Sequence, residues 1–99
     1  MARTLKDWFV YLVECSDETL YCGVTTNILR RIKQHNGKIP RGARYCAGRR
    51  PVKLRYFSQF GSRSKAQREE TRIKKLSKER KWELISKFLG VIFPHFTGE

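Results

Sequence analysis

From Trp8 to Glu14 the chain reads Trp-Phe-Val-Tyr-Leu-Val-Glu, a run rich in aromatic and β-branched residues, and Leu20 to Thr25 is a second, shorter one. Between them Ser16-Asp17-Glu18-Thr19 supplies turn chemistry, so the two runs predict a β-hairpin. A glycine would ease any turn position with φ above zero; Glu18 does not, and the turn type stays open. Thr26 or Asn27 can cap a helix that runs to about Asn36 and stops at Gly37, with Ile28, Leu29 and Ile32 as its apolar stripe. Lys38 to Arg50 holds glycine, proline, five Lys/Arg and Tyr45, which predicts an exposed basic loop closed by Pro51.

Val52 to Phe60 alternates well enough for a third strand. Ser64, followed three residues later by Gln67, reads as a helix start, and the helix continues through Ala66, Ile73 and Leu76. Ser77 can cap a last helix with Trp82, Ile85, Phe88 and Leu89 at helical spacing. Residues 90–99 contain Pro94 and predict an irregular tail. The order β-β-α-β-α-α specifies a small α+β domain, an antiparallel sheet flanked by helices, spanning 1–99 with its core at about 7–89.

Charge sharpens this picture because it is unevenly placed. Residues 1–36 carry five Lys/Arg against four acids, residues 37–81 sixteen against three, and residues 82–99 one against two. The middle segment therefore holds 16 minus 3, or +13, the whole formal net charge of the chain. Such a density attracts polyanions, and backbone phosphate is the commonest of these. Arg41, Arg44, Arg49 and Arg50 are the candidate phosphate contacts. No run approaches the ~20 apolar residues of a membrane span. Met1 to Asp7 lacks the apolar core of a signal peptide, so a cytoplasmic protein with reduced Cys15, Cys22 and Cys46 is expected. Those thiols have no C-x-x-C spacing, which disfavours both a disulfide scaffold and a zinc site with His35.

Candidate chemistry is concentrated near the N-terminus. Tyr11 and Tyr21 sit on the two arms of the hairpin and can present both hydroxyls on one face, either as chemical groups or as packed aromatics. Arg31 lies ten positions beyond Tyr21, and His35 follows one helical turn later on the same side of its helix. A guanidinium can bridge phosphate oxygens, and an imidazole can accept or relay a proton or simply face the helix C-terminus. In the later helix Glu69 and Glu70 fall in or beside the inner stripe, where a carboxylate needs a cation or a metal; pairing of Glu70 with Lys74 is the plain alternative.

Taken together, Phe9-Val10-Tyr11, Tyr21-Cys22-Gly23, the stretch from Gly23 to Arg31 with His35, Gly48-Arg49-Arg50-Pro51, and Arg68-Glu69-Glu70 running on to Leu76 resemble the GIY-YIG nuclease superfamily, in its small stand-alone bacterial branch. Gly-Ile of the first motif is replaced by Phe9-Val10, and Cys22 replaces the usual aliphatic residue. The resemblance implies a three-stranded antiparallel sheet flanked by helices and a metal-dependent endonuclease that hydrolyses DNA phosphodiester bonds, linked to repair or recombination. It implies catalytic roles for Tyr11, Tyr21, Arg31, His35 and Glu70, with Glu70 holding Mg²⁺ or Mn²⁺, and leaves open which tyrosine is the base. A binding module for DNA or RNA that keeps the fold without turnover, with Tyr45, Tyr56 or Phe57 stacking on bases, is the alternative, and a protein partner that supplies specificity is compatible with either.

Overall fold

The computed structural model describes residues 7–92. The hairpin forms as the sequence predicts: β1 (Trp8–Glu14) pairs antiparallel with β2 (Leu20–Thr25). On its other side β1 pairs antiparallel with β3 (Lys53–Phe60), so the sheet order is β2-β1-β3. Strand β1 lies at the centre and is covered on both faces, which is why Val10, Leu12 and Val13 are fully buried and their run reads as continuously apolar. The turn is solved by polar chemistry rather than glycine. Glu18 takes a φ of 68°, and Asp17 accepts from both the backbone N–H and the hydroxyl of Thr19, at 3.2 and 2.6 Å.

One irregularity decides how β3 is used. Leu12 faces Tyr56 while Val13 faces Leu54, so Arg55 is the extra residue of a β-bulge. Leu54 and Tyr56 consequently point to opposite faces although they are two apart. Arg55, pushed out of the ladder, donates to Glu14 at 2.8 Å.

Two apolar layers result. On one face Val10, Leu12, Cys22 and Tyr56 pack against Ala66 and Ile73 of α3 (Arg63–Lys74) and Ile85 of α4 (Lys78–Ile92). On the other, Tyr11, Val13, Cys15 and Val52 meet Ile32 of α1 (Ile28–His35) and Cys46 of α2 (Arg44–Ala47). The three thiols are thus split between faces, and among the described residues no trio of His, Cys, Asp or Glu could hold a metal.

Several boundaries differ from the sequence expectation. Leu29 is 76% exposed, because it stands about 100° around α1 from Ile28; the inner stripe is Ile28, Ile32 and His35. Ser62, not Ser64, caps α3, accepting from the Lys65 N–H at 3.3 Å. The basic loop contains the single turn α2, nucleated by burial of Cys46. Helix α4 continues through Gly90 to Ile92, since contacts of Phe88 and Leu89 with the core outweigh the ~1 kcal/mol that an internal glycine costs. The rest of the expected tail, 93–99, and the leading residues 1–6 lie outside the described residues.

Asn36 ties the end of α1 to the start of β3. Its side chain donates to the Val52 carbonyl at 3.1 Å and accepts from the Val52 N–H at 2.7 Å, as a neighbouring strand would. Asn36→Ala leaves both backbone groups without partners and should cost about 1–3 kcal/mol, measured as a lower urea midpoint at unchanged m-value.

Candidate active site

Hairpin register places the tyrosines first. Tyr11 stands opposite Gly23 and Tyr21 opposite Val13, so both share one sheet face on a diagonal, with ring centroids 6.4 Å apart. The Tyr11 ring lies across β2 directly over Gly23, where a Cβ would come within 2.6 Å of its Cζ. Only glycine admits the ring there, which is the physical content of the Tyr-x-Gly spacing.

His35, on the last turn of α1, is fully buried between these rings. Its Nδ1 accepts from the backbone N–H of Ala43 at 3.1 Å, and its Nε2 lies 2.7 Å from the Tyr11 hydroxyl. Burial, reinforced by Arg31 and Arg50, holds its pKa down to about 4, so the imidazole is neutral at pH 7. A neutral ring carries one N–H; with a donor aimed at Nδ1, that proton sits on Nε2 and is donated to Tyr11. The oxygen of Tyr11 therefore accepts from His35, and its own proton is left for another acceptor. Burial raises the Tyr11 phenol above its ordinary pKa, opposed by the neighbouring Arg31 guanidinium. Tyr11 is a protonated donor near neutrality.

Tyr21 is the complement. It is half-buried, and its hydroxyl has no hydrogen-bond partner among the described residues, where no buried polar side-chain atom is left unpaired. That hydroxyl therefore meets solvent. Arg31 is oriented from one end: Nη1 donates to Gln34 Oε1 at 2.9 Å and to the Arg41 carbonyl at 2.8 Å. Tyr11, Tyr21, Arg31 and His35 thus converge.

Glu70 does not join this cluster. It projects from α3, which covers the opposite face, and forms the plain ion pair with Lys74 at 3.2 Å. Its carboxylate is half-buried, and after burial itself its charge is the next cause raising the Cys22 thiol to about 12. Cys22 adjoins Tyr21 in β2, which locates Glu70 near the open edge of the sheet. One carboxylate suits a Mg²⁺ that takes its remaining ligands from water and phosphate, provided Lys74 yields its place.

The four candidate phosphate contacts divide. Arg41 and Arg44 are exposed, and neither side chain forms an ion pair among the described residues. Arg50 donates to the His35 carbonyl at 2.8 Å and lies over Gly37. Arg49 is engaged by Asp17 at 3.0 Å and covers the Tyr45 ring. Sequence reasoning passed over Ala43 and Gln34 and gave Asp17 only its turn, since their further roles depend on backbone N–H groups and loop closure. For Tyr45 it offered base stacking in a binding module, and not a place against Tyr21.

A family model described as the GIY-YIG catalytic domain matches residues 7–83. The chain belongs to the GIY-YIG nuclease family. A UPF0213 protein of Desulfotalea psychrophila is 47% identical over 94 residues, covering 91% of this chain and 84% of that protein. One from Clostridium perfringens is 49% identical over 78 residues, covering 79% and 82%. The solution structure of the UPF0213 protein BH0048 of Bacillus halodurans shares 42% identity over 81% of this chain and 83% of its own, with a TM-score of 0.52. This GIY-YIG chain has the α+β fold of that neighbour, a three-stranded antiparallel sheet flanked by helices. No helix among its described residues is long and apolar enough to cross a membrane.

His35 makes this fold pH-sensitive. Unfolded, it takes a proton below about 6.5; folded, only below about 4. Its contribution to stability is present above 6.5 and is lost as pH falls toward 4, amounting to up to about 3 kcal/mol. Urea unfolding compared at pH 7 and about 5 should show part of that loss, and His35→Gln should flatten it.

Proposed function

We propose that this GIY-YIG chain is an endonuclease that hydrolyses DNA phosphodiester bonds with Mg²⁺ or Mn²⁺. The observation that carries the reading is the forced polarity of the Tyr11–His35 hydrogen bond, with Arg31 beside it and the open Tyr21 hydroxyl next to it. A phenol whose proton is left for another acceptor, paired with a guanidinium, suits the non-bridging oxygens of a phosphate gaining charge. Acting as the phenolate, or passing its own proton on through a relay, Tyr21 is the group placed to take a proton from an attacking water, since its oxygen faces solvent and Arg31 is available to offset the charge. Held by Glu70, the divalent ion would neutralise charge on the leaving oxygen. Arg41 and Arg44 would guide the strand electrostatically. DNA repair or recombination is the setting that the family resemblance suggests.

A second reading has its own observation. The Glu70–Lys74 ion pair occupies the carboxylate that a metal would need, as expected of a binding module that keeps the nuclease fold.

Supercoiled plasmid with Mg²⁺ or Mn²⁺ should be nicked, and Arg31→Ala and Glu70→Gln should each lower the rate on the order of 10²-fold or more with the fold retained by circular dichroism. Full activity in both variants would remove the assigned roles, and binding without any cleavage would favour the second reading. DNA affinity should drop roughly 10³-fold between 50 and 200 mM salt if six phosphate contacts form, as read by fluorescence anisotropy; a flat response would exclude the basic loop as docking surface.

A further inference from the structure

The hydroxyl of Tyr21 has no hydrogen-bond partner among the described residues, so packing alone aims it. Tyr21 sits on the edge strand β2. His35 stands edge-on to its ring, with centroids 5.3 Å apart and planes at 71°. Tyr45, from α2, stacks on the ring at 5.6 Å and 27°. Without Tyr45 the Tyr21 ring would keep its contacts with His35 and Tyr11 but lose its stacked neighbour.

Tyr45 is itself clamped. The Arg49 guanidinium lies 4.0 Å over its ring, and Arg49 Nη1 donates to the Tyr45 carbonyl at 2.8 Å. Arg49 Nε donates to Asp17 Oδ2 at 3.0 Å, and the Arg49 carbonyl accepts from the Ser16 N–H at 2.9 Å. Asp17 and Ser16 belong to the turn that leads into β2 and Tyr21. Fully buried Cys46, next in sequence, plugs α2 into the core. The outcome is a column, Arg49 on Tyr45 on Tyr21, closed into a ring through the hairpin turn. An exposed loop aromatic at a basic surface would ordinarily suggest a platform for a nucleobase. Here Arg49 covers the Tyr45 ring and Tyr21 stacks against it, so a base could stack there only by displacing one of them.

We propose that Tyr45 is a positioning residue: clamped by Arg49 and Asp17, it holds the Tyr21 ring at the angle that presents the hydroxyl to the attacking water. This rests on the nuclease reading with Tyr21 as proton acceptor. Misplacing a reacting group by about 1 Å can cost on the order of 10²-fold in rate.

The test compares Tyr45→Leu, Tyr45→Phe and Asp17→Asn in plasmid nicking, with NMR of the Tyr21 ring in ¹³C-tyrosine-labelled protein free of nucleic acid. Tyr45→Leu should lower kcat roughly 10–100-fold with KM within about threefold and displace the Tyr21 ring signals. Tyr45→Phe should retain most activity and the native ring signals, and Asp17→Asn should fall between. Raised KM with unchanged kcat in Tyr45→Leu would make Tyr45 a substrate-stacking group and overturn the proposal. So would Tyr21 ring signals that stay unmoved in Tyr45→Leu. If the wild-type chain cleaves nothing, the nuclease reading fails by that result alone, while the ring signals still decide whether Tyr45 sets Tyr21.

Discussion

A single backbone N–H, that of Ala43, sets the chemistry of the candidate site. By aiming at His35 Nδ1 it forbids a proton there, and burial among cationic neighbours forbids a second proton anywhere on the ring. What remains is one tautomer, one direction of the bond to Tyr11, and a phenolic proton left for another acceptor. A site that must recognise an anion gains from this arrangement, since a fixed donor needs no reorganisation when charge develops. The neutrality of His35 also lets it sit buried near Arg31 and Arg50, where an imidazolium would be repelled by both.

That N–H is in place because the basic loop folds back over α1. The Arg41 carbonyl accepts from Arg31, and Gly42 approaches α1 so closely that a Cβ would lie 2.7 Å from the Gln34 carbonyl carbon. Asn36 then hands the chain to β3 through Val52. The loop is therefore part of the site's frame as well as a carrier of charge: Arg49 and Arg50 are engaged by Asp17, the Tyr45 carbonyl and the His35 carbonyl, while Arg41 and Arg44 are exposed.

The two faces of the sheet divide the work. One buries the apolar sides of α3 and α4 and supplies much of the core; the other carries the phenols, the imidazole and the guanidinium. Glu70 belongs to the first face, at the β2 side, with Lys74 as its counter-ion. In the proposed nuclease a metal on Glu70 would draw most of its ligands from water and phosphate oxygens.

Much of this was legible in the residues themselves. Alternation in Trp8–Glu14 and Leu20–Thr25 sufficed for the hairpin, because strand period is a local property, while the shared face of Tyr11 and Tyr21 waited on the register that the turn sets. The i,i+4 placement of Arg31 and His35 likewise follows from helix geometry alone. Local rules could not say that Leu29 would stay outside while a histidine took the inner stripe, that Cys46 would turn a loop into helix, or that α4 would run through Gly90. Contacts distant in sequence outweighed propensity at each of those points. Nor could they orient a proton: its place on His35 depends on Ala43 arriving eight residues later, and the stacking of Tyr45 on Tyr21 depends on Asp17 reaching Arg49 across 32 positions. Residue types and their period are written along the chain, but the direction of a hydrogen bond exists only once the chain has closed on itself.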